Sequence, residues 1–253
     1  MIREFKKQAR MILFKNYKLF ILPVLLCLFS NFAAVNLFRI AFTQPNSLFK
    51  YLCFGLWLLF PLIFSPVSTF LLFKVSAQLA NGYVGQDKSL FSDVSFRDVV
   101  KICLIWITPN LLNTVNSLFD GLIGYSVLPE HITISISFFS LIFVTILFYF
   151  AYKYFACDYY YALNRGTTKE TIDFSFKLMK NKFLKYILIT LSFIAWYILS
   201  AILISVFSKL FDISDFYISL LKTTGCGIYF YIKPYECITY SLFIKNNCTQ
   251  KHK

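Results

Sequence analysis

Apolar and polar positions along this chain fall into long blocks rather than a fine alternation. A helix of about 20 apolar residues crosses a hydrocarbon core about 30 Å thick. Six blocks meet that length, at 19–38, 51–73, 99–119, 132–152, 183–208 and 216–235. The last has a rival frame at 223–244, which would place Lys233 and Glu236 inside it. A lysine at mid-membrane is costly. The frame 216–235 instead lets Lys222 and Lys233 snorkel to opposite faces, and it leaves 236–246 as a short surface helix. No run of short alternating segments suggests a barrel. The expected fold class is all-α, a polytopic transmembrane helical bundle forming a single integral membrane domain over residues 1–253.

Basic amphipathic surface helices are predicted before spans one, three and five. In the leader, Arg3, Lys6, Lys7, Arg10, Lys15 and Lys18 alternate with Ile2, Phe5, Ala9, Ile12 and Leu13 near helical spacing, so it can lie along a membrane surface. A signal peptide is disfavoured, because 19–38 exceeds a normal h-region and no clear A-x-A site follows. The stretch SFRDVVK leads into the third span. Before the fifth, Thr167 and Glu170 fit a capping box. Ile172, Phe176, Met179 and Phe183 then recur at helical spacing among Lys169, Lys177, Lys180, Lys182 and Lys185. LFKNYKLFIL (Leu13–Leu22) resembles LMKNKFLKYIL (Leu178–Leu188). Three units of surface helix plus hairpin would make a parallel repeat; chance matching of Lys and apolar residues is the alternative.

Composition agrees with the blocks. The chain is 58% hydrophobic and only 15% charged, against about a quarter charged in soluble domains. Its mean hydropathy is +0.65. The net charge of +13 is topological here rather than a nucleic-acid signal, because Lys and Arg accumulate in cytoplasmic loops. With six spans, 21 of the 25 basic residues fall on one side and 4 on the other. Both termini are therefore expected in the cytoplasm. The expected partners are the bilayer and its anionic inner-leaflet lipids, with Lys177, Lys180, Lys182 and Lys185 as candidate lipid contacts, and another membrane protein or a second copy.

Little catalytic chemistry is encoded. Seven cysteines are scattered without a C-x-x-C pair, so neither a disulfide framework nor a zinc site is expected. The two histidines are His131 and His252, with no H-E-x-x-H and no P-loop. Asp158 and Asp120 lie near opposite membrane faces and do not converge. No metal, cofactor or catalytic residue is predicted. Asn110, Asn113 and Asn116 recur every three residues, near one helix face; they would line a polar path or hydrogen-bond between helices. Asp158, Lys233 and Glu236 would form a buried pair, a proton relay or a structural network, with Pro234 breaking the helix beside Lys233. Pro61 and Pro66 would kink the second span. Tyr149, Tyr152, Tyr154, Tyr159, Tyr160 and Tyr161 read as an interfacial belt. Trp196, inside the fifth span, would need a partner for its indole N–H.

SFKLMKNKFLKYILITLSFIAW resembles the signature of a bacterial integral membrane family, the domain of unknown function nine-seven-five. Members read like S-x-x-L-M-K-G-x-K, an apolar stretch, L-S-F-I-G-W, and later P-Y. The matching positions are Ser175, Leu178, Met179, Lys180, Lys182, Leu191, Ser192, Phe193, Ile194 and Trp196, with Pro234 and Tyr235 beyond. Asn181 and Ala195 stand where the pattern has glycine. The resemblance covers roughly 150–246 and implies a multi-pass protein of the bacterial cytoplasmic membrane, without supplying an activity. The expected function is non-enzymatic: a scaffold, accessory or envelope-related interaction protein. The alternative is a small-solute or ion permease using the polar face of the third span.

Overall fold

A computed structural model describes residues 2–43, 48–82, 93–125, 130–210 and 228–249. Among the described residues it is entirely helical, with no strand. The helices are α1 (Ile2–Asn16), α2 (Lys18–Thr43), α3 (Leu48–Ala80), α4 (Phe96–Tyr125), α5 (Glu130–Tyr154), α6 (Cys157–Asn164), α7 (Thr168–Met179), α8 (Phe183–Leu210) and α9 (Ile228–Thr249).

Four segments are long and apolar enough to cross a membrane: Lys18–Ile40, Leu48–Ala80, Phe96–Asn116 and Ile134–Asn164. A fifth arises if α7 and the start of α8, bent by 91°, count as one. Most of the predicted span 216–235, with Lys222, lies outside the described residues, as does His252. The part that is described belongs to α9, which continues through Pro234 to Thr249. No surface helix separates off at 236–246. Ile232, Cys237, Ile238, Phe243 and Ile244 are all buried, so α9 is enclosed by its neighbours. Proline costs it one backbone hydrogen bond, and packing on all sides holds the helix together across that gap.

Two other boundaries differ from the sequence reading. α3 runs unbroken past Pro61 and Pro66 for 33 residues, about 50 Å at 1.5 Å per residue. That exceeds the hydrocarbon core, so residues 74–80 are helix rather than polar loop. They are held by the burial of Phe70, Leu72, Val75 and Ala77. Ser76 donates to the Leu72 carbonyl at 2.8 Å, returning its hydroxyl to its own helix. In α4, Phe96 opens a continuous helix of 30 residues. No separate surface helix precedes it among the described residues, because Ser95 already caps it.

α1 and α7 are separate short helices. α1 buries Phe5, Ala9 and Leu13, four apart, and packs on α9. Lys6 donates to the Ser192 carbonyl at 2.9 Å and lies 4.3 Å from the Phe193 ring centre. Burial pushes its ammonium pKa below the usual lysine value. α7 starts with both bonds of the capping box: Glu170 N–H donates to Thr167 Oγ1 at 3.3 Å, and Thr167 N–H donates to Glu170 Oε2 at 2.9 Å. Between α7 and α8 the chain turns at Asn181, whose φ is +62°. Glycine and asparagine visit this left-handed region most readily, which makes them equivalent choices there. Asn181→Gly should leave the thermal midpoint of the detergent-solubilised protein nearly unchanged. Asn181→Val should cost about 1–2 kcal/mol; an equal midpoint for both would remove this account of the bend.

Three of the four segments with the predicted inner-side charge meet at one end of the bundle. Asn81, at the end of α3, donates to Tyr159 of α6. Lys245 of α9 donates to the Ala80 carbonyl at 2.8 Å, placing a cation at the carbonyl end of α3. Arg165, after α6, pairs with Asp98 at the start of α4. We refer to this as the basic end. Tyr152, Tyr154, Tyr159 and Tyr161 are buried there, so most of the expected aromatic belt belongs to the packed core; Tyr149 remains exposed.

Candidate functional site: buried polar clusters in the bundle

Three acidic side chains enter the bundle, each held differently. Asp98 is the third residue of α4 and returns to its own cap. Ser95 N–H donates to Oδ2 at 2.9 Å, and the Asp98 N–H donates to Ser95 Oγ at 3.3 Å. Two tertiary partners then converge. Tyr161 donates to Oδ1 at 2.6 Å, and the Arg165 guanidinium lies 2.6 Å from Oδ2. Arg165 itself has a positive φ of 52° and donates to the Asp93 carbonyl at 3.0 Å. One carboxylate thus ties the start of α4 to the end of α6.

Glu236 is the centre of the second cluster. Oε2 accepts from Tyr197 at 2.6 Å and from Lys233 at 3.1 Å; Oε1 accepts from Tyr240 at 3.0 Å. Tyr240 also meets Thr190 Oγ1 at 3.2 Å. Tyr197 and Thr190 lie on α8, and the rest on α9. Three donors on one buried carboxylate is the pattern of an ionised group. The structure therefore brings Lys233 and Glu236 together, on a continuous helix rather than beside a break at Pro234.

Asp158 is separate from that pair. It is 2% exposed, and its Oδ1 accepts the Trp106 indole N–H at 2.8 Å. It forms no ion pair among the described residues. The tryptophan bonded in the interior is thus Trp106; Trp196 is 45% exposed. Lys153 lies 5.5 to 5.6 Å from the ring centres of Tyr149, Tyr152 and Phe176, a three-ring cation–π contact.

The asparagine triplet divides. Each step of three residues on α4 turns the side chain back about 60°. Asn116 is buried, and its Oδ1 accepts from Ser140 of α5 at 2.9 Å. Asn113 is exposed. Asn110 buries its amide nitrogen without a hydrogen-bond partner. Of the lysines predicted to meet lipid, Lys177, Lys180 and Lys185 are exposed and Lys182 is half-buried.

Lys74, expected just past the second span among the solvated basic residues, lies inside α3. It is 1% exposed, and its Nζ is buried without a hydrogen-bond partner, as is Gln78 Oε1 one turn on. Arg165, Asp93 and Asp98 act on it electrostatically but do not bond it. An ammonium removed from water without a bonded counter-group is unfavourable. Lys74→Met keeps the length and removes the charge. It should raise the thermal midpoint, by an amount equivalent to about 1–3 kcal/mol, the cost of a buried polar group left unsatisfied; a lower midpoint would show that the ammonium has a stabilising partner.

Among the described residues no group of three or more His, Cys, Asp or Glu side chains is placed to hold a metal ion. Comparison of the chain with family models, with curated proteins and with solved structures finds no match in any of the three.

Proposed function

We propose that this is a non-enzymatic integral membrane protein of the bacterial cytoplasmic membrane, with both termini in the cytoplasm. It acts by interaction, as a scaffold, an accessory subunit or an envelope-related factor. The observation that carries this reading is the contrast between charges bonded inside the bundle and charges left exposed on and beside α7. Asp98 and Glu236 are bonded to cations and phenols of the bundle itself. Lys169, Lys177, Lys180 and Lys185 instead stay exposed on and beside α7, which meets α8 at 91°. Bonded interior charges hold helices together. A basic helix at right angles to an apolar one lies along an anionic surface, where each cation contributes about 1 kcal/mol. The likeness of Ser175–Trp196 to the bacterial membrane family points the same way.

Orientation is tested by a single cysteine at position 177 in an otherwise cysteine-free chain. A membrane-impermeant maleimide should label it in inverted vesicles and not in intact cells. Interaction is tested with a photo-cross-linker at positions 177 and 180. One discrete protein adduct at both, lost when Lys177, Lys180 and Lys185 are changed to Glu, supports a partner surface. No adduct and an unaltered cell would reduce α7 to a topology signal. The permease reading draws on one observation, the unpartnered buried amide of Asn110. Absence of solute or ion flux in reconstituted vesicles would exclude it.

A further inference from the structure

α3 and α4 enclose an apolar groove of about 350 Å³. Leu62 and Ile63 of α3 line one side; Phe96, Val100, Leu104 and Leu111 are among the α4 residues on the other. These four α4 side chains are all exposed. Cys103 also lines it, and its thiol is turned to the Ile63 carbonyl at 3.9 Å, so the one polar lining group is bonded within the wall. From Phe96 to Leu111 the groove follows α4 for about 22 Å. One leaflet of a 30 Å core is about 15 Å deep, so the groove is long enough for one acyl chain.

A protein helix is the poorer occupant. Hydrocarbon is as apolar as leucine, so helices associate in a membrane through small residues and interhelical hydrogen bonds. The lining named above has no Gly, Ala or Ser, and its only weak donor is already engaged. The basic end supplies the headgroup contact. Arg97 follows Phe96, the first α4 residue of the lining, and is exposed. Lys101 is one turn further, with its Nζ 5.8 Å from the Tyr161 ring centre. The nearby carboxylate, Asp98, is bonded to Arg165 and Tyr161 and does not oppose an incoming anion.

We propose that this groove binds an anionic glycerophospholipid, with one acyl chain along α4 between Phe96 and Leu111 and the phosphate at Arg97. The inference rests on the membrane reading above. That reading is checked separately, by whether the chain resists alkaline extraction from membranes.

The test is native mass spectrometry of the full chain in mild detergent, titrated with phosphatidylglycerol and with phosphatidylcholine of the same chains. The wild type should hold one phosphatidylglycerol at roughly tenfold lower lipid concentration than phosphatidylcholine, the preference a single phosphate–arginine contact supports. Leu104→Trp fills the groove and should remove most of both adducts. Leu111→Trp, at the far end, serves if Leu104→Trp does not fold. Arg97→Glu should abolish the preference while retaining the chain-dependent adduct. Ile198→Trp, exposed on α8, should change nothing. Lipid adducts unaffected by both groove-filling variants would overturn the proposal. Equal binding of the two lipids by the wild type, or a dimer abolished by Leu104→Trp, would overturn it too.

Discussion

Glu236→Ala should lower the stability of the detergent-solubilised protein by about 3 kcal/mol, the lower end of what removing one partner of a buried pair costs. Glu236 is the acceptor for Tyr197, Tyr240 and Lys233. Its side chain is 9% exposed and that of Lys233 is 27% exposed. Without the carboxylate, Tyr197 loses this acceptor, Tyr240 keeps only its contact with Thr190, and Lys233 loses its counter-charge. Lys233 keeps some contact with its surroundings, which places the loss at the lower end. An isolated interhelical hydrogen bond in a membrane bundle contributes about 0.6 kcal/mol on average, so one such bond cannot account for an effect of this size. The charge decides it, and the double variant Lys233→Met with Glu236→Leu should therefore recover most of the loss. Glu236→Gln retains an acceptor without the charge and should fall between the two. Reversible unfolding in a denaturing detergent, followed by tryptophan fluorescence, measures all of these. A Glu236→Ala loss below about 1 kcal/mol, the worth of one ordinary hydrogen bond, would reduce the cluster to surface-like contacts.

The helical, apolar architecture was legible because it rests on local properties. Apolar runs of sufficient length become helices irrespective of their neighbours, and α2 and α8 lie close to where the blocks predict them. The capping box at Thr167 and Glu170 is a contact three residues apart and forms with both bonds. The contacts Asn81–Tyr159, Lys245–Ala80 and Asp98–Arg165 bring three of the basic segments together, and none of these pairings is local in the sequence.

The buried polar clusters depend on partners far along the chain. Trp106 and Asp158 are 52 positions apart, and Asp98 and Tyr161 are 63. Nothing within a short window around Lys74 tells a solvated lysine from a buried one. Charge and nearby glycine suggested a loop; packing of Phe70 to Ala80 overrode them. The tyrosines of α6 misled in the same way, because an interfacial belt and an aromatic core share one composition. Asn181 suits the left-handed dihedral it adopts, a requirement set by the turn between α7 and α8 and not visible in the residues around it.

Asp98→Ala should produce the other large effect, and a local one. The carboxylate accepts from its own cap, and losing a helix cap costs about 1 kcal/mol. It also holds Arg165 and Tyr161, and hydrogen bonds to charged groups contribute about 1.5–3 kcal/mol. The Arg165 side chain is 31% exposed, so the lower part of that range applies and the sum is about 2–3 kcal/mol. The consequence falls on one joint. Arg165 keeps its left-handed backbone while its side chain bridges Asp98 and the Asp93 carbonyl. Freed from Asp98, the segment from Asn164 to Thr167 should open more often, and trypsin should cut after Arg165 several-fold faster than in the wild type. Glu236→Ala, which disturbs the α8–α9 contact, should leave that cleavage rate unchanged at temperatures where both variants stay folded. Asp98→Asn retains a capping oxygen and loses the ion pair, so it should lie between the wild type and Asp98→Ala in both stability and cleavage. Equal cleavage in the wild type and Asp98→Ala would mean that α6 is positioned by its apolar packing alone and that the Asp98–Arg165 pair is incidental to it.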